Sequence, residues 1–209
     1  MKVRELFKLP AVYNNGAMSA VSIEKQHKAL YAGYLEISKY IDLVEIKVDK
    51  EYTTFILNVP SEVFLDKLKY QVVLRLFKDK KGNISPNSEV KVYCNEPTFQ
   101  FRDAFVYNKE LMLINKYKSY LNEKSLKLPP KVTNPLNKIL VVKSIIYALL
   151  FLKDKDIFSV ELKSKKFYPN VRVLKGDEVL RLYNKIKRDN KEMYKANNNP
   201  TNKAFTFRY

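Results

Sequence analysis

Residues 139–152 read ILVVKSIIYALLFL, a run in which only Lys143 and Ser144 are polar. Apolar side chains at nearly every position leave a helix without a solvent face, so the rest of the chain has to wall such a segment in. At about fourteen residues the run is shorter than the roughly twenty a membrane span needs, and it holds an internal lysine, so a buried core helix is expected and not an anchor. Asn134 is a candidate N-cap and Pro135 suits the first helical position, which places the helix at about residues 136–153, ended by Asp154 and Asp156.

Mainly β structure precedes it. Residues 43–48 and 52–59 alternate on either side of Asp49-Lys50-Glu51, and both 70–77 (YQVVLRLF) and 89–93 (EVKVY) are rich in β-branched and aromatic residues. Each pair predicts a hairpin, the second with an exposed loop through Gly82-Asn83 and Pro86. Residues 99–107 (FQFRDAFVY) alternate too and predict a further antiparallel strand. Helical spacing marks 22–40, with Ser22 as N-cap and His27 on the helix, then 111–122, and finally 177–195 as a charged amphipathic helix. A short helix is expected at 61–68, a short strand at 157–162 and an extended piece at 167–173. The expected fold class is α+β, a mainly antiparallel sheet from the N-terminal half packed on helices from the C-terminal half around the buried central helix. The chain divides into an extended arm at 1–20, a single domain at 21–196 with a sub-boundary in the proline-rich stretch 122–135, and an extended tail at 197–209.

Four glycines in 209 residues leave few places where backbone can approach a phosphate closely, which argues against nucleotide-binding loops. The single cysteine, Cys94, has no intramolecular disulfide partner, and residues 1–10 hold no apolar segment of signal-peptide length, so a reducing, intracellular setting is expected. The net charge of +17, from 39 Lys+Arg against 22 Asp+Glu, favours polyanions or acidic protein surfaces as partners. Codon bias toward AT-rich DNA, which also enriches Asn, Ile, Tyr and Phe, competes as a cause of that charge. Arginine is sparse (Arg4, Arg75, Arg102, Arg172, Arg181, Arg188, Arg208), so phosphate or acidic-surface attraction fits better than base readout through the guanidinium fork.

No constellation names a chemistry. Acidic-x-basic triplets occur at Glu45-Ile46-Lys47, Glu89-Val90-Lys91 and Glu161-Leu162-Lys163, on predicted strands, but composition alone produces about four of them, and no upstream Asp completes a magnesium site. Asp154-Lys155-Asp156 reads as a helix-ending turn, while His27 and Cys94 alone do not make a metal cage or a catalytic pair. No catalytic residue, metal or cofactor is therefore expected. The better candidates are basic residues interleaved with aromatics in the last third: Lys165, Lys166, Arg172, Arg181, Lys185, Lys187 and Arg188, suited to a nucleic acid or an acidic partner. The competing reading is solvated lysines on an exposed helix whose tyrosines pack inward. In the tail, Phe205, Phe207 and Tyr209 fall on one side of an extended strand, ready to add to a sheet or groove of the same chain or of a neighbouring subunit.

The middle of the chain, from YQVVLRLF at 70–77 through EVKVYCNEPTFQFRDAFVYNKELML at 89–113 to KLPPKVTNPLNK at 127–138, resembles virion-associated structural proteins of tailed bacteriophages. That resemblance implies a non-enzymatic component of the capsid, neck or tail, made in the bacterial host cytoplasm, resident in the virion and assembled with other virion proteins in many copies or in a ring. It carries over no site residue. Extended termini suit such a role, because exchanged arms lock subunits together. The alternative expectation is a phage-encoded nucleic-acid-binding accessory protein that uses the basic C-terminal helix. Neither reading involves a membrane.

Overall fold

Period-two alternation produces the two hairpins where the sequence predicts them. The structure is a computed structural model that describes residues 1–9, 23–65, 67–131, 133–134 and 137–197; the side chains of 23–27 and 192–197 lie outside the description. Strands β1 (Asp42–Val48), β2 (Tyr52–Pro60), β3 (Lys69–Phe77) and β4 (Val90–Cys94) form an antiparallel meander, and the two-residue β5 (Lys165–Lys166) adds to β1, giving the order β4-β3-β2-β1-β5. The fold is α+β, as expected.

Register sorts the side chains of the central strands onto two faces. Phe55 stands opposite Leu74, Leu57 opposite Val72 and Leu74 opposite Val92, and none of these is exposed to solvent. Over that face lies α5 (Lys143–Asp154), whose Ile145, Leu149 and Leu152 are likewise fully buried. Helix α2 (Ile23–Ile37) packs on α5 through Tyr34, whose hydroxyl donates to Asp154 Oδ2 at 2.6 Å. The other sheet face is partly covered by a 3-10 helix at Asn115–Tyr120, with Tyr117 stacked on Tyr93 at 5.0 Å. A strap at residues 172–174 covers it further, where Gln71 donates to the Arg172 carbonyl at 2.9 Å and accepts from the Leu174 amide at 2.5 Å.

The central helix is shorter than expected. Its N-cap is Val142, and residues 137–142 are not helical. Asn134 closes a local turn instead of capping the helix: its side chain accepts from the Lys138 amide at 3.1 Å and donates to the Lys138 carbonyl at 2.8 Å, with Asn137 at φ 48°. Leu140, Val141 and Val142 are buried all the same, and the Leu140 carbonyl is satisfied by the Tyr107 hydroxyl at 2.7 Å.

Other boundaries also shift. Residues 99–107 are not a strand: a π-helical turn at Phe99–Asp103 runs into α3 (Ala104–Lys109), because burying Phe99, Arg102, Asp103, Val106 and Tyr107 together requires helical spacing. The helix expected at 111–122 is replaced by a strand-like passage, where Ile114 N–H donates to the Val92 carbonyl at 3.1 Å and shields the open edge of β4, followed by the 3-10 helix. The following α4 (Glu123–Lys127) is capped by Asn122. Ser61 N–H donates to the Leu68 carbonyl at 2.9 Å, and no described residue of 61–68 is helical. Residues 157–162 form no strand, and 167–173, expected as an extended piece, begins with a bend and turn at 167–170. The first nine residues are no extended arm, since α1 (Val3–Leu6) buries Val3 and Leu6 completely and Val3 N–H donates to the Ser88 carbonyl at 3.0 Å.

Leu149→Ala is expected to lower unfolding free energy by about 2–5 kcal/mol in urea titrations, the cost of a cavity at a packed site, whereas Val63→Ser, at a side chain 77% exposed, changes it by less than about 0.5 kcal/mol.

Candidate functional site

The longest helix, α6 (Gly176–Asn197), begins where a side chain has no room: a Cβ on Gly176 would lie 1.9 Å from Gln100 Oε1. Glu178 secures this start. Its carboxylate accepts from the Lys175 amide at 2.8 Å and from both terminal nitrogens of Arg172 at 2.7 and 3.2 Å. The guanidinium bond, reinforced by the amide, holds the Glu178 carboxyl down at about 2. One side of α6 then packs Val179, Tyr183 and Ile186 onto Leu68, Tyr70 and Phe64, with Phe64 and Tyr183 edge to face at 5.6 Å. At 100° per residue, the opposite side presents Arg181, Lys185 and Arg188, all exposed, and no ion pair joins these three to a described carboxylate.

The seven basic candidates thus separate into three places. Arg181, Lys185 and Arg188 share a face, and Lys187 lies to the side of it. Arg172 is tied to Glu178. Lys165 and Lys166 sit on the edge strand beside β1, opposite Ile46 and Glu45, next to Phe167 and Tyr168, which are 41% and 45% exposed. Phe205, Phe207 and Tyr209 lie outside the described residues, as does the side chain of His27.

A second polar group is internal. Ser144 at the start of α5 donates to Glu96 Oε2 at 2.6 Å and lies 3.3 Å from Cys94 Sγ, while Arg102 forms a two-pronged pair with Asp103 at 2.6 and 2.7 Å. A Cys-Ser-Glu chain invites comparison with a nucleophile and its base. Burial argues the other way: Cys94 has no exposed surface, and desolvation, aided by Glu96, pushes its thiol far up. A reactive cysteine needs the thiolate, so this thiol is packing. Asp154-Lys155-Asp156 closes α5 in a turn, with Asp156 at φ 50°. Among the described residues no three His, Cys, Asp or Glu side chains converge as a metal site requires, and no helix is long and apolar enough to cross a membrane.

Sequence reasoning missed a different surface. The lysines of two triplets, Lys47 and Lys91, lie with Arg75 in one row on the sheet face away from α5. The available signal was strand register: each is the outward residue of its strand, and the meander sets them level. The third triplet, Glu161-Leu162-Lys163, lies on no strand. No protein family, curated protein or solved structure matches the chain.

Two measurements follow from the titrating groups. The folded-state value of Glu178 lies below the ordinary 4.5, so its contribution to stability is present above that pH and is lost as pH falls through about 2; Arg172→Ala should move its NMR titration midpoint back toward 4.5. Cys94 should resist a maleimide in the native protein at pH 8 and react at once when urea unfolds it.

Proposed function

We propose that this protein is a non-enzymatic component of a bacteriophage particle whose α6 surface lies against packaged DNA. The supporting observation is the trio Arg181, Lys185 and Arg188, without an ion pair among the described residues, projecting from a helix whose opposite side packs on Leu68, Tyr70 and Phe64. Cations spaced along one helix face suit duplex phosphates, which carry no sequence information, and the scarcity of arginine favours the same partner. The resemblance of residues 70–77, 89–113 and 127–138 to virion-associated proteins supports residence in the particle. Neighbouring subunits are then held through the aromatic residues Phe205, Phe207 and Tyr209.

A second reading keeps the same surface and changes the setting: a phage-encoded nucleic-acid-binding accessory protein working in the infected cell. The α6 trio favours both readings equally. Sedimentation of purified particles separates them, since the first requires the protein in the particle fraction and the second leaves it in the lysate.

Duplex affinity should fall steeply with salt. Charge reversal at Arg181, Lys185 and Arg188 together should reduce the slope of log K against log salt by about 3, in anisotropy titrations on unrelated duplexes. A slope unchanged by the reversal would refute the assignment of α6. Deleting residues 198–209 should remove the protein from particles while leaving a folded chain by circular dichroism.

A further inference from the structure

The sheet face away from α5 carries cations that the fold leaves unneutralised. Lys47 of β1 stands opposite Thr54 of β2, Thr54 opposite Arg75 of β3, and Arg75 opposite Lys91 of β4. Residues directly opposite share a face, so three cations form a row across four strands, spanning about 14 Å at ~4.8 Å between strands. Arg75 and Lys91 are immediate cross-strand neighbours, an arrangement that costs stability. None of the three forms an ion pair with a described carboxylate; Glu45 stands one row away, opposite Lys166. The row runs inward from the terminal strand β4, and Glu45 and Glu89, two residues from Lys47 and Lys91 on the same face, flank it without pairing to it.

Aromatic rings alternate with these charges. The Arg75 guanidinium carbon lies 4.1 Å from the Tyr52 ring centroid, and Lys91 Nζ lies 5.8 Å from that of Phe77. Tyr52 and Phe77 are themselves edge to face at 5.9 Å. On the other side of the row, Lys116 Nζ lies 5.8 Å from the Tyr117 centroid. Arg75 also donates to Thr54 Oγ1 at 3.4 Å, which orients its plane on the sheet. Tyr52, Phe77, Arg75 and Lys91 are half-buried and Lys47 is exposed.

We infer that this sheet face binds a single-stranded nucleic acid, with Lys47, Arg75 and Lys91 on its phosphates and Tyr52, Phe77 and the Arg75 plane against its bases. A row of cations offers the charge complement of a phosphate backbone, and rings beside it offer stacking to bases that only an unpaired strand exposes. An acidic protein would use the charges and leave the rings idle. A duplex keeps its bases stacked inside, which separates this surface from the one on α6. The inference goes beyond that reading and does not depend on it.

The test uses the full chain with two fluorescent probes, an oligothymidylate of about twenty nucleotides and a duplex of about twenty base pairs. K47Q/R75Q/K91Q should weaken oligothymidylate binding at least tenfold and duplex binding less than twofold. Reversal of the α6 trio should do the opposite, so failure of either surface is read apart from the other. Tyr52→Leu should weaken oligothymidylate about fivefold while leaving inorganic polyphosphate affinity unchanged, which reports stacking. Lys47→Gln alone, at an exposed side chain, should give about a threefold loss and covers the case in which the triple variant does not fold. The inference is overturned if the native protein does not bind oligothymidylate, if Lys47→Gln and the triple variant bind it as the native chain does, or if polyglutamate displaces it as well as unlabelled oligothymidylate does.

Discussion

Everything else in the molecule is arranged around the contact between α5 and the two central strands. Ile145, Leu149 and Leu152 meet a sheet face made of Phe55, Leu57, Val72 and Leu74, all without solvent exposure. Burial of this kind is non-directional, so it does not by itself fix where the helix lies along the sheet. Polar contacts at its ends do that: Lys143 pairs with Glu62 at 2.6 Å, Tyr147 donates to Glu62, Ser144 donates to Glu96, and Asp154 accepts from Tyr34. Helix α2 can approach because Gly33 has no Cβ, which would otherwise lie 2.5 Å from the Tyr147 oxygen.

The hairpins were legible because alternation, turn residues and β-branched content agreed with one another, as they do over residues 42–60 and 69–94. The errors arose where one local signal stood alone. Pro135 after Asn134 has the grammar of a helix start, yet Asn134 spends its side chain on Lys138 and the apolar residues 140–142 enter the core without helix. Apolar content said that this segment is buried and could not say in what conformation, because a distant hydroxyl, that of Tyr107, meets one of its backbone groups. In 99–107 the phenylalanines at 99, 101 and 105 imitate alternation. Only Phe99 is fully buried, and the Arg102–Asp103 pair beside it goes inward, a burial that charge content hides from any hydrophobic pattern.

The charge was legible in sum but not in place. The basic candidates from Lys165 to Arg188 read as one patch, but α6 begins with Arg172 held in a pair with Glu178, while β5 carries Lys165 and Lys166 to a sheet edge. What remains together is the trio one and two turns apart on α6, which the 3.6-residue period does specify.

The row on the sheet was hidden for another reason. Lys47, Arg75 and Lys91 are separated by 28 and 16 positions, and only the register of three strand pairings makes them neighbours. Composition alone accounts for the number of triplets such as Glu-Ile-Lys and Glu-Val-Lys. Counting in sequence, however, treats the lysines as independent, whereas antiparallel pairing correlates them. A one-residue slip of β4 against β3 would send Lys91 to the face of α5, where burial of its charge is prohibitive, so the packing of the core fixes the alignment of the cations on the opposite face. The same apolar contact that orders α5 therefore sets the spacing of the charged surface behind it.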